Sequence, residues 1–171
     1  MDLSAFLKTI AAWPIWQSIE DWPVGQGVAE STYLFPLVES IHVVSLGFVV
    51  GSIFFLDLRL MGMAGKRMSV RQASRILPYT WGAFVLAAIS GALMFAPAAH
   101  RYIENWAFTV KFVLIFLAGA NMFAFHFGIW RKINEWDESA APPMAARIAG
   151  LLSALFWVGA VMYGRLVPFV A

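Results

Sequence analysis

Residues 33–61 read YLFPLVESIHVVSLGFVVGSIFFLDLRLM, and the run carries Glu39, His42, Asp57 and Arg59 along its apolar length. A helix needs about 20 residues to cross hydrocarbon, so this run is long enough. In a bilayer core every backbone N–H and C=O must find its partner within the protein, which leaves helices and closed barrels. The run is too long and too continuously apolar for a barrel strand. Ionisable side chains inside a spanning helix are costly, so these polar residues are expected to face other helices or a cavity, and they are candidates for function. The rest of the chain agrees, with 61% of its 171 residues hydrophobic, 13% charged and a mean hydropathy of +0.73. Soluble domains draw about a quarter of their residues from Asp, Glu, Lys and Arg.

Several function classes drop out. A net charge of +2, with the basic residues grouped beside the apolar runs, does not describe a nucleic-acid-binding tail. The absence of cysteine removes disulfides, thiolate metal sites and thiol catalysis. There is no HExxH, no Gly-rich phosphate loop and no GxSxG elbow, which disfavours hydrolases, kinases and nucleotide-dependent enzymes. The start, MDLSAFLKTIAAWPIWQSIEDW, lacks a basic region followed by a clean apolar core, so no cleavable signal peptide is expected and the first span does the targeting.

The pattern predicts an all-α integral membrane four-helix bundle, preceded by an N-terminal interfacial amphipathic helix. Residues 1–32 form that segment and a connector, and residues 33–171 form the four-span domain. In residues 3–22, Leu3, Phe6, Leu7, Ile10 and Trp13 recur near helical spacing and Pro14 interrupts. Such a stretch lies along the interface or packs on the outside of the bundle. Residues 23–31 read as a connector. Spans are expected at about 36–60, 78–97, 106–130 and 146–169. Lys66, Arg67, Arg71 and Arg75 stand in the first loop without an acid, and Arg131 and Lys132 follow the third span. The positive-inside rule puts both loops in the cytoplasm and both termini in the periplasm. On the last span Gly150, Ser153, Trp157, Ala160 and Gly164 form a ridge suited to close packing.

At about 1.5 Å per residue, Glu39, His42, Lys111 and Arg165 fall in an outer layer, and Asp57, Arg59, His126 and Arg147 in an inner one. Glu39 and Asp57 are eighteen residues apart, five helical turns, and so share a direction toward the bundle interior. The expected outer pairing is Glu39 with Lys111 or Arg165. The expected inner pairing is Asp57 with Arg147, Arg59 or Arg75.

Four chemistries are open. His42, His100 and His126 can ligate a b-type haem through a neutral imidazole. His42 and His126 differ in depth by roughly 20 Å, so they are not a pair; His42 with an inward-dipping His100, or one histidine alone, remains, and His42 is the favoured ligand. A quinone head could lodge in the outer layer near His42, Lys111 and Tyr102. Glu39 and His42, at i and i+3, could exchange protons or begin a metal site, and Met61, Met63 and Met68 are soft ligands of the kind that favour Cu(I). The fourth reading is a structural or accessory subunit without cofactor, packed in a homo-oligomer or a larger membrane complex.

The runs FPLVESIHVVSLGFVVGSIFFLDLRLMG, RILPYTWGAF, NWAFTVKFVLIFLAGANMFAFHFGIW and AARIAGLLSALFWVGAVMYGR resemble a family of small uncharacterised bacterial inner-membrane proteins with four spans. The resemblance covers roughly residues 33–165. It implies a bacterial inner-membrane location and supplies no catalytic residues.

Overall fold

A computed structural model describes residues 3–63, 69–137 and 142–170. Lys66, Arg67 and Met68, the 64–65 end of the first inner turn and positions 138–141 of the polar linker lie outside the described residues. Three short helices come first: α1 (Leu3–Ala11), α2 (Pro14–Glu20) and α3 (Pro23–Glu30). Proline opens two of them, at a position where its missing N–H has no helical partner to lose. The expected connector at 23–31 is therefore mostly helix. It seats itself through Gly25, where a Cβ would lie 3.0 Å from the Ala96 Cβ.

The long helices follow: α4 (Leu34–Leu60), a four-residue α5 (Val70–Ala73), α6 (Leu77–Phe95), the short α7 (Ala99–Glu104), α8 (Trp106–Ala124), α9 (Ile133–Trp136) and α10 (Met144–Leu166). A π-helical turn, Phe125–Ile129, continues α8. The starts of α4, α6, α8 and α10 fall within two residues of the expected spans. All four segments are apolar enough to cross a membrane, with mean hydropathy between 1.7 and 2.0 over their best windows. Their outward faces are greasy: Val44 is 72% exposed and Phe116 75%, which suits contact with lipid tails. The fold is a four-helix membrane bundle with a helical N-terminal region.

The order around the bundle is α6, α4, α10, α8: α4 packs on both α6 and α10, and α10 packs on α8. Helices α1 and α2 lie on α7, at what is called here the outer end; α5 and α9 mark the inner end. Caps hold both. Ser69 and Gln72 form a capping box that starts α5. The Asn105 side-chain Oδ1 accepts from the backbone N–H groups of Ala107 and Phe108, and its Nδ2 donates to the carbonyls of Val167 and Val170. One side chain thus starts α8 and fastens the end of α10. Leu60, Val70, Ile133, Trp136 and Ala146 close the inner end as an apolar core.

Contact between α4 and α10 depends on Gly150. A Cβ there would lie 3.0 Å from the Asp57 carbonyl oxygen and 3.0 Å from the Leu60 Cβ, so the two backbones touch as small residues permit between spanning helices. Gly150→Val is expected to lower stability by about 1–3 kcal/mol through overpacking. Gly47→Ala, at a position with nothing within 4 Å of a Cβ, is expected to change little. Thermal unfolding of both variants in detergent checks the contrast.

Candidate functional site

The buried polar groups of α4 follow two different rules. Toward α6 they are satisfied. The His42 Nδ1 lies 2.8 Å from the Ala87 carbonyl oxygen and 3.1 Å from the Ser90 Oγ. A carbonyl only accepts, and the Ser90 hydroxyl already donates to the Leu86 carbonyl. Nδ1 therefore carries the proton and Nε2 keeps its lone pair. Gly91 makes the room, since a Cβ there would stand 2.9 Å from the His42 Cε1. Further along, the Ser52 and Thr80 hydroxyls bond at 2.8 Å. The ten-residue step from His42 to Ser52 matches the ten-residue step back from Ser90 to Thr80, as two antiparallel helices of equal rise require.

Away from α6 the picture changes. Asp57 is 3% exposed. The Ser153 hydroxyl on α10 serves its carboxyl as a hydrogen-bond donor, while Oδ2 is buried without a hydrogen-bond partner among the described residues. Asp57 is among the residues lining a cavity of about 410 Å³, within the range of small-molecule sites. All four long helices wall it. Val49, Ile53 and Asp57 come from α4, Trp81 and Phe84 from α6, Ala118 and Asn121 from α8, and Ser153 and Trp157 from α10. It lies where α6 and α8 fail to pack closely. Phe95 of α6 stacks on Phe108 of α8, centroids 5.5 Å apart, and closes the gap toward the outer end. Phe84 and Trp157 meet edge-to-face across the wall. The Asn121 amide donates to the Ala149 carbonyl at 2.9 Å, tying α8 to α10 beside the cavity.

The expected charge pairs are not formed. No ion pair joins Glu39 to Lys111 or Arg165 among the described residues. Glu39 is exposed although it shares the helical phase of Asp57, because α10 comes against α4 at Gly150, near the inner end. Lys111 instead lays its stem along Gly164 and points its ammonium toward the Phe108 ring, 5.9 Å from the centroid. Arg165 is exposed. In the inner layer Asp57 forms no ion pair with Arg59, Arg75 or Arg147. Arg75 and Arg147 are exposed, and Arg59, two residues past Asp57 and so on another side of the helix, donates to the Asp137 carbonyl at 3.3 Å.

The histidines are also kept apart. His100 bonds Glu20 through both its backbone N–H and Nδ1, beside a second cavity under the N-terminal helices. His126 sits in the π-helical turn, lines the Asp57 cavity and stacks on Trp130 at 6.0 Å. His42, His100 and His126 thus keep separate company, and among the described residues no group of three or more His, Asp or Glu side chains could hold a metal ion. Ser153 and Trp157 belong to the small-residue ridge expected on the last span, and Asn121 carries no motif. Their role in the cavity wall had no periodic signal beyond helical spacing.

These features define a multi-span membrane protein with an intramembrane cavity and a buried acid. No protein family, no curated protein and no solved structure matches the chain.

Gly91→Ala is expected to push the His42 ring off Ala87 and Ser90. The histidine ¹⁵N signals should then lose the Nδ1-protonated pattern of the parent protein, while those of His100 stay in place.

Proposed function

We propose that the protein is a small multi-pass protein of the bacterial inner membrane that admits a lipophilic molecule into its intramembrane cavity and exchanges a proton there through Asp57. Residues 1–32 would lie at the periplasmic interface, with both termini on that side, as the basic residues of the inner loops favour. One observation carries the reading: Asp57, whose buried Oδ2 has no hydrogen-bond partner among the described residues, is part of the wall of an apolar, aromatic cavity between spanning helices. A polar group buried without a hydrogen bond costs several kcal/mol, so a fold that keeps one there is expected to use it.

Trp81, Trp130 and Trp157 line the cavity and provide its reporter. Titrating N-phenyl-1-naphthylamine into the protein in detergent is expected to quench tryptophan emission saturably. Gly119 lines the same cavity, and a Cβ there meets nothing within 4 Å, so Gly119→Phe is expected to fill the space without unfolding the bundle. It should remove the saturable component. Quenching that never saturates, or that survives Gly119→Phe unchanged, would sink the proposal.

A second reading, a redox protein with a b-type haem, has one observation in its favour. The Nδ1–H of His42 is committed to α6, which leaves Nε2 as the nitrogen able to ligate iron and fixes the ring, as second-shell bonds to ligating histidines do. Its test is the absorption spectrum of protein purified from haem-supplemented cells. A Soret band lost in His42→Ala supports it, and a colourless protein counts against it.

A further inference from the structure

The groups around Asp57 differ in what they have left to offer. The Thr80 hydroxyl is bonded to Ser52 and donates to the Ile76 carbonyl, the Asn121 amide donates to Ala149, and the Ser153 hydroxyl serves Asp57. The three hydroxyls and one N–H of Asn121 are therefore committed, which leaves the indole N–H groups of Trp81, Trp130 and Trp157 as donors, while Oδ2 of Asp57 is an acceptor with no partner among the described residues. The wall is aromatic. Trp81, Phe84 and Trp157 form an edge-to-face series, with Phe125 and Trp130 completing the lining. Aromatic faces carry negative charge density and attract cations, most strongly when water is excluded. Among the described residues no lysine or arginine lines the cavity, and none forms an ion pair with Asp57. A buried carboxylate needs either a proton or a cation to neutralise it.

We propose that the cavity is a site for lipophilic organic cations, phosphonium or quaternary ammonium in type, held by the aromatic walls and neutralised by the Asp57 carboxylate in place of its proton. The inference rests on the cavity being a ligand site, as argued under the proposed function, and gives that ligand its charge. A quinone finds indole N–H donors in the wall, but it brings no charge to neutralise the Asp57 carboxylate, and that is the difference the experiment reads. Binding and proton release are then coupled. Each cation that enters displaces one proton from Oδ2, so cation affinity rises with pH over the range in which Asp57 loses its proton. Among the described residues His126 is the other titratable group lining the cavity. From α6 and the turn before it the wall brings the uncharged polar groups of Thr80, Trp81 and Ser74, and from α10 those of Ser153 and Trp157.

The full chain in detergent is titrated with methyltriphenylphosphonium, with its neutral near-isostere triphenylphosphine oxide and with decylubiquinone, following tryptophan emission and equilibrium dialysis at two pH values. The expected result is at least tenfold tighter binding of the cation than of either neutral probe, weakening at the lower pH, with the preference lost in Asp57→Asn while the neutral probes bind as before. His126→Gln is expected to keep the preference and its pH dependence. Equal binding of cation and neutral isostere, or tighter binding of the quinone, would overturn the cation inference and leave the cavity reading standing. Failure of all three probes to bind would overturn both. The comparison in the unaltered protein is decisive even should Asp57→Asn fail to fold.

Discussion

The hydrogen bonds that α4 makes with α6 set the rotation of α4 about its own axis, and that rotation decides where Asp57 points. His42 reaches Ala87 and Ser90, and Ser52 reaches Thr80. Both side chains belong to the arc of α4 that faces α6. At 3.6 residues per turn, Asp57 lies about 100° round from the middle of that arc. It is turned off the seam and toward the space bounded by α8 and α10. Each such bond between spanning helices contributes only about 0.6 kcal/mol on average, so the seam specifies more than it stabilises. With Gly150 holding α10 against the backbone at Asp57 and Leu60, the position of the carboxyl is fixed from both sides.

The spans were legible because apolar length is a one-dimensional property, and nothing in a bilayer competes with it. Leu34 and Met144 begin their helices two residues before the expected points, a shift within ordinary fraying of helix ends. The N-terminal region was read less well. Pro23 suggested a connector and in fact starts a helix, because what it removes at that position is a bond no helix makes. The charge pairs failed for a different reason. Depth and phase were assigned correctly along one helix, but pairing depends on which neighbour stands opposite at each level. Glu39 and Asp57 share a phase, and only the second is covered by α10. Likewise Lys111 had an acid at its own depth, yet its stem followed the groove that Gly164 leaves in the adjacent helix.

The cavity follows from a mismatch between two ends that close and a middle that does not. Phe95 on Phe108 seals the outer level, and the Leu60, Ile133 and Trp136 core seals the inner one. Between them α6 contributes Trp81 and Phe84 while α8 contributes the small residues Ala118 and Gly119. Facing these rings, the small residues Ala118 and Gly119 leave α8 without a ridge at that level, although Ile115 and Met122 flank them in the wall. The π-helical turn at Phe125–Ile129 re-aims the end of α8 and brings His126 to the cavity wall, a use to which such turns are often put. None of this was visible in helical periodicity, which records the faces that meet and not the one pair of faces that do not.

The placement of Arg59 completes the argument about charge. A bundle that simply had to bury an acid could have neutralised it internally, with an arginine one turn away on the same face. Here the arginine is two residues on, about 200° round the helix, and its guanidinium is directed to the Asp137 carbonyl in the segment whose side-chain oxygen also accepts from the Arg71 backbone N–H. The cation that is nearest in sequence is thus engaged in holding the inner loops together. The polar residues of α4 therefore divide their work by direction: toward α6 they lock helices, at the inner end Arg59 pins loops, and between them Asp57 stands in the cavity wall with no ion pair among the described residues.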